Sequence, residues 1–155
     1  MLSLEIQRMP KDPQETFGHP AKYPYLSVNN TSTHDMPPLR SWWEEDRAAT
    51  QQFFEQILGH HGEAPYFCEP WLAQEILNQH LYSPSMWAIF PLQDFLAIDG
   101  ELRREDPHGE QINVPANPEH YWRYRLHLSL EELMAAQDYN KLLGQLIQAS
   151  GRAAA

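Results

Sequence analysis

Met86-Trp87-Ala88-Ile89-Phe90 (MWAIF) runs apolar without interruption, between Pro84 and Pro91. A strand with one wet face alternates apolar and polar residues. A short unbroken apolar run bounded by prolines reads as a strand covered on both faces, as in a parallel sheet. Parallel strands need long crossovers, normally helical, so the flanking sequence should alternate between the two periods. It does. Upstream, Pro70 to Leu81 spaces Leu72, Ile76 and Leu77 at helical intervals. Before that, Leu39, Trp42, Trp43, Ala49, Phe53, Ile57 and Leu58 form one stripe, predicting a single helix over 38–58 that Gly59 or Gly62 can end.

Two more strands are expected near the N-terminus. Leu2, Leu4 and Ile6 alternate with Ser3, Glu5 and Gln7, and Tyr25 to about Thr31 forms the second. Lys11 to Pro24 has little periodicity and reads as a loop. Downstream of MWAIF come Leu92-Gln93-Asp94-Phe95, an irregular charged loop and Tyr121-Trp122-Arg123-Tyr124-Arg125. A capping box from Ser129 to Glu132 opens a last helix, with Leu142, Leu143, Leu146 and Ile147 on its later apolar face; residues 151–155 are expected to fray. The order strand, strand, helix, helix, strand, helix predicts an α/β architecture with parallel strands. Ligands in such folds sit at the carboxyl ends of the strands. Those ends carry Gln7 and Arg8, then Thr33 to Asp35, then Gln93 and Asp94. Helix capping alone does not require so many polar residues.

Bulk properties narrow the function. The chain of 155 residues, with 42% hydrophobic residues, can bury the core of one ordinary domain. A net charge of -10 disfavours nucleic acid as a partner, because phosphate neutralisation needs a broadly basic face. No apolar run reaches the length of a membrane span, and the first residues lack the apolar core of a signal peptide. With Cys68 as its one cysteine, the chain has no disulfide framework, and a cytoplasmic location is expected. The 13 prolines sit at element boundaries rather than in one linker, which predicts one folded unit with long ordered loops.

In TSTHDMPPLRSWWEED, residues 31–46, Asp35 admits two readings. It can cap the helix that follows. Alternatively, His34 and Asp35 project into a substrate site, the carboxylate accepting hydroxyls or stabilising positive charge. Paired carboxylates are the usual machinery for glycosidic bonds, so Asp35 with Asp94 is a further arrangement to test. His60-His61 offers metal donors without a second ligand pair, and solvated loop histidines are the plainer account. Cys68 lacks a nucleophile signature and reads as a small buried hydrophobe. The YWRYR stretch interleaves aromatic and basic residues as single-strand binders do. Given the net charge, packing and a sugar platform are the better reading.

The runs LSLEIQRMPKDP, FGHPAKYPYLSV, TSTHDMPPLRSWWEED, MWAIFPLQDFLAID and INVPANPEHYWRYRLHLSLEEL, in that order, resemble amylomaltase, the 4-α-glucanotransferase or disproportionating enzyme of glycoside hydrolase family 77. The similarity is closest to the branch containing the plant cytosolic disproportionating enzyme. It implies that residues 1–150 are the C-terminal part of a (β/α)8 TIM barrel, strands six to eight with their helices, incomplete as a barrel alone. The implied activity is transfer of α-1,4-glucan segments to acceptor sugars by a retaining double displacement, without a cofactor or metal. Asp35 matches the family's third carboxylate, which holds hydroxyls of the sugar being cleaved; His34 matches its neighbour in the same subsite, and Asn113 the asparagine of the rim segment. Trp122 and Arg125 match a closing motif expected to be structural. The nucleophile and the acid/base have no counterpart here, so the missing N-terminal barrel portion is the expected partner, with α-1,4-glucans as ligands. A non-catalytic glucan-binding or partner-binding remnant is the alternative. The chain departs from the family pattern at Gln111, where arginine is usual, at Ser41, where glycine or alanine is usual, and at Asn29-Asn30.

Overall fold

The computed structural model describes residues 1–153. Three parallel strands, β1 (Ser3–Ile6), β2 (Ser27–Asn30) and β3 (Trp87–Ala88), form a sheet in that order. Leu4, Val28 and Trp87 stand in register across it, as do Glu5, Asn29 and Ala88. Among the described residues three helices lie between β2 and β3, α1 (Leu39–Glu45), α2 (Arg47–Gln56) and α3 (Pro70–Leu81), and three follow β3, α4 (Leu92–Leu96), α5 (Leu130–Ala135) and α6 (Gln137–Ala149). Short 3-10 turns occupy Pro20–Lys22 and Pro107–Glu110.

The core lies among the helices on one side of the sheet. Leu39, Trp43, Phe53, Leu72, Ile76, Leu77 and Leu96 are all buried there, with Phe17 packed edge-on against Phe53. Of the tryptophan pair, Trp43 is fully buried and donates to the Pro65 carbonyl (2.9 Å), while Trp42 is half-buried. The stripe predicted as one helix is divided at Asp46. That residue is extended (φ -121, ψ 90), and its carboxylate accepts the Ala49 N–H at 3.0 Å, starting α2 as its N-cap. An apolar stripe records which face packs; it cannot register one residue leaving helical geometry. The C-terminal helix is likewise two, α5 and α6, parted at Ala136, and the Ser129–Glu132 capping box is present.

β3 differs from its expectation. Only Trp87 and Ala88 pair as strand, and Met86, Trp87 and Ile89 are exposed. The helices cover one face; among the described residues nothing covers the other, where Leu4 and Trp87 also stand open. The unbroken apolar run fits a strand needing cover on both sides, of which this chain provides one.

The face turned to the helices is polar. Ser27 Oγ donates to the Pro24 carbonyl (2.6 Å) and pairs with Ser85 Oγ. Asn29 Nδ2 donates to the His80 carbonyl (3.2 Å) and to Ser83 Oγ (2.6 Å). Ser41 is fully buried and donates to the Pro107 carbonyl at 2.6 Å, so its hydroxyl ties α1 to the second 3-10 turn. Of the tail expected to fray, Arg152 donates to the carbonyls of Leu81, Ser83 and Ser85. Ala154 and Ala155 lie outside the described residues.

His80 makes folding pH-dependent. It is fully buried, its Nδ1 bonded to the Ile76 carbonyl (2.8 Å) and its Nε2 without a partner. Burial lowers its pKa to about 4, helped by the nearby Arg8 cation. The unfolded histidine binds its proton near pH 6.5, whereas the folded one does not until about 4. Stability is therefore fully present above pH 6.5 and falls between there and 4. Urea titrations at successive pH values should show this loss, and His80→Gln should flatten the profile in that window; an unchanged profile removes the assignment.

Candidate functional site

The site is a loop held above the end of β2. Two buried groups from the neighbouring strand ends fix it. Asp94, 1% exposed at the start of α4, accepts from Thr31 Oγ1 (2.5 Å), Ser32 Oγ (2.6 Å) and the Leu39 N–H (2.8 Å). Arg8, just beyond β1, donates to the carbonyls of Thr31 (3.0 Å) and Pro37 (2.8 Å) and to Ser32 Oγ (2.7 Å), and lies over the Trp42 ring. Burial lowers its pKa to about 10 and Asp94 opposes the shift, so at neutral pH it remains a cation. Charge-assisted bonds at both ends leave residues 33–36 as a short turn with a fixed stem.

The turn presents His34 and Asp35 to solvent, their side chains 53% and 52% exposed. Asp35 Oδ2 lies 3.2 Å from His34 Nε2, and its Oδ1 accepts from Asn113 Nδ2 at 2.6 Å. Trp122, 62% exposed, sets its ring 5.0 Å from the His34 ring. Asn113 is positioned by its own segment: Gln111 Nε2 donates to the Asn113 carbonyl (3.1 Å), and His120 Nε2 bonds the Ile112 carbonyl (3.0 Å). Gln111, where an arginine was expected, thus braces the rim from within.

The structure brings together all three residues singled out from sequence, His34, Asp35 and Asn113. It also corrects several readings. Asp35 caps nothing: Pro38 begins α1 without a side-chain cap bond, and Asp94 takes the Leu39 N–H. Asp94 cannot pair with Asp35 on a substrate, because it is buried with three donors already on its carboxylate. Trp122, expected to be structural, is an exposed ring against His34; the aromatic spacing of YWRYR was the available signal. The parts played by Arg8 and Asp94 were missed, although both were marked as polar strand ends.

The remaining candidates resolve simply. His60 Nε2 bonds Glu75 Oε2 (2.8 Å) and stacks on Phe54. Among the described residues no group of three or more His, Cys, Asp or Glu is placed to hold a metal. Cys68 is fully buried, and desolvation pushes its thiol pKa far up, so it is inert as a nucleophile. No described helix is long and apolar enough to cross a membrane. Chemically, the site offers an exposed carboxylate fixed by an amide and an imidazole, beside an open indole face. Carboxylates accept hydroxyls, and indoles stack on the apolar faces of sugars.

Comparison with known proteins places the chain in a family. The chain is 43% identical over 152 residues to the 4-alpha-glucanotransferase DPE2 of rice (Oryza sativa subsp. japonica), covering 98% of this chain and 16% of the relative. It is 34% identical to the 4-alpha-glucanotransferase of Chlamydia trachomatis, covering 81% of this chain and 23% of the relative. The amylomaltase from Streptococcus agalactiae in complex with acarbose superposes with a TM-score of 0.63 at 18% identity, over 87% of this chain and 24% of that one, a likeness of fold. The chain spans less than a quarter of the length of each of these relatives. Residues 1–130 match the family model for 4-alpha-glucanotransferase, and with relatives this similar the chain belongs to that family, glycoside hydrolase family 77.

Proposed function

We propose that this chain is the C-terminal part of a 4-α-glucanotransferase barrel, with β1 to β3 as strands six to eight, and that it supplies Asp35 to a retaining transfer of α-1,4-glucan segments. The single observation that carries this reading is Asp35 itself: exposed, held by Asn113 and His34, and free of any capping duty. Glycosidic cleavage passes through an oxocarbenium-like state in which the ring flattens and gains positive charge. A rigid carboxylate that grips ring hydroxyls more tightly in that shape lowers the barrier differentially. Trp122 gives the sugar an apolar platform, and His34 and Asn113 orient the carboxylate. The nucleophile and the acid/base come from the upstream barrel, and a sugar hydroxyl then takes the glycosyl group. No cofactor enters this scheme. Cys68 as a buried, reduced thiol suits a cytoplasmic setting.

The open sheet supports the same reading. Among the described residues, β1 and β3 each have one unpaired edge, and nothing covers the face bearing Leu4, Val28 and Trp87. Edges and faces of this kind are closed when a barrel completes. The chain alone should therefore unfold with weak cooperativity, self-associate, and transfer nothing between maltotriose molecules. Joined to the upstream portion of the rice relative, it should gain a sharp melt and transfer activity. A monomeric isolated chain that melts sharply and disproportionates maltotriose would overturn the proposal. A completed barrel that binds maltodextrin without transfer would favour the non-catalytic glucan-binding alternative.

A further inference from the structure

The chain has eight arginines. Five spend their guanidinium donors inside it. Arg8 binds the loop above β2, Arg40 the Arg104 carbonyl and Glu110, and Arg47 the carbonyls of Ala64 and Pro65. Arg103 binds the Cys68 carbonyl, and Arg152 binds three carbonyls beyond α3. Among the described residues, the guanidiniums of the other three, Arg104, Arg123 and Arg125, donate to nothing and pair with no carboxylate. All three line one cavity of about 430 Å³. His120, His127 and Gln111 share its wall, and no aspartate or glutamate does.

In a chain of net charge -10, unpaired cations converging on one cavity free of carboxylates need a reason. Glu110, next to Gln111 in sequence, does not neutralise them; it is buried and paired with Arg40 at 3.3 Å. Two features hold the cations in place. Arg123 lies over the Tyr121 ring, 4.7 Å from its centroid. Arg104 lies against Gly109, so close that a Cβ there would stand 2.7 Å from its Nε. Both histidines donate Nε2–H to a backbone carbonyl, at Ile112 and Leu102, which fixes their rings in the wall. Planar guanidinium forks match the oxygens of a phosphate, and several around one cavity match a dianion.

We infer that this cavity binds a phosphate monoester. The wall residues Gln111 and Ile112 run directly into Asn113, and Tyr121 adjoins Trp122. A phosphate seated here is therefore either that of a free sugar phosphate or one carried by a glucan held at Asp35. Only the second source rests on the glucan reading above.

The test follows the arginine Nε–H and tryptophan indole signals of the full chain, and of the completed barrel, by NMR titration. Inorganic phosphate and glucose 6-phosphate should shift the signals of Arg104, Arg123 and Arg125, and glucose should not. Arg125→Gln should raise the dissociation constant for glucose 6-phosphate about tenfold, the loss of one charge-assisted bond. Gly109→Ala should do the same without removing any charge, because its new methyl displaces only the Arg104 side chain. Phosphorylated maltodextrin binding more tightly than both glucose 6-phosphate and plain maltodextrin would identify a glucan-borne phosphate. Equal affinity for glucose 6-phosphate and phosphorylated maltodextrin would identify a free one. If phosphate compounds move no arginine signal, or if both variants bind glucose 6-phosphate like the parent, the inference fails. If phosphate binds while maltodextrin leaves the Trp122 indole unmoved, the glucan reading fails and the phosphate site stands.

Discussion

In the completed enzyme, Asp35→Asn is expected to lower turnover about 10²- to 10⁴-fold, or several kcal/mol of transition-state stabilisation. Maltodextrin binding should persist, since asparagine still accepts from Asn113 and leaves the Trp122 platform in place. The fold should persist too. Asp94 takes the α1 amide that an N-cap would serve, so even Asp35→Ala should leave the melting temperature close to that of the parent. Turnover and melting measured on both variants decide the matter. Near-native turnover for Asp35→Asn would remove the carboxylate from the reaction, and a large stability loss for Asp35→Ala would restore the capping reading.

Asp94 should behave in the opposite way. Asp94→Ala strips acceptors from two buried hydroxyls and a backbone amide, and leaves the Arg8 cation without its buried counter-charge. Breaking a buried, hydrogen-bonded charge in this manner costs about 3–5 kcal/mol. Asp94→Asn keeps the shape and one acceptor, and should cost less. Denaturant unfolding of the completed enzyme measures both. A loss under about 1 kcal/mol for the alanine variant would mean that the loop stem is held by Arg8 alone.

The sequence was most informative where periodicity or a named residue type carries the physics. The α/β order, the three strands and the capping box at Ser129 were all legible, because burial and capping act on neighbours in the chain; the stripe held both Trp42 and Trp43 and did not say which of them turns inward. The breaks at Asp46 and Ala136 were not legible, since an apolar stripe continues across a single non-helical residue. The exposure of Trp87 was missed for a related reason: an apolar run states a need for cover but not whether this chain meets it. His34 and Asp35 stood out as polar residues ending a strand, whereas Asn113 was found through family likeness alone, since no local pattern joins positions 35 and 113. Asp94 was the instructive error. As an acidic residue ending a strand it looked available to substrate, yet three donors from two other segments close over it, and such closure is visible only in three dimensions.

The polar row on the helix side of β2 has a consequence for how a barrel could be assembled from parts. Apolar rows tolerate sliding, because one buried methyl replaces another with little change. Ser27 and Asn29 meet Ser85, Ser83 and the His80 carbonyl at particular heights along the strand. Shifting β2 by one residue would turn both toward the open face, bury Val28 in their place and strand the partners on α3 and beyond. The row therefore works like the notch on a key: it admits one alignment of β2 against the helices. Any strand that later pairs along β1 or β3 inherits that alignment, so the height of Asp35 above the sheet is set before the barrel closes.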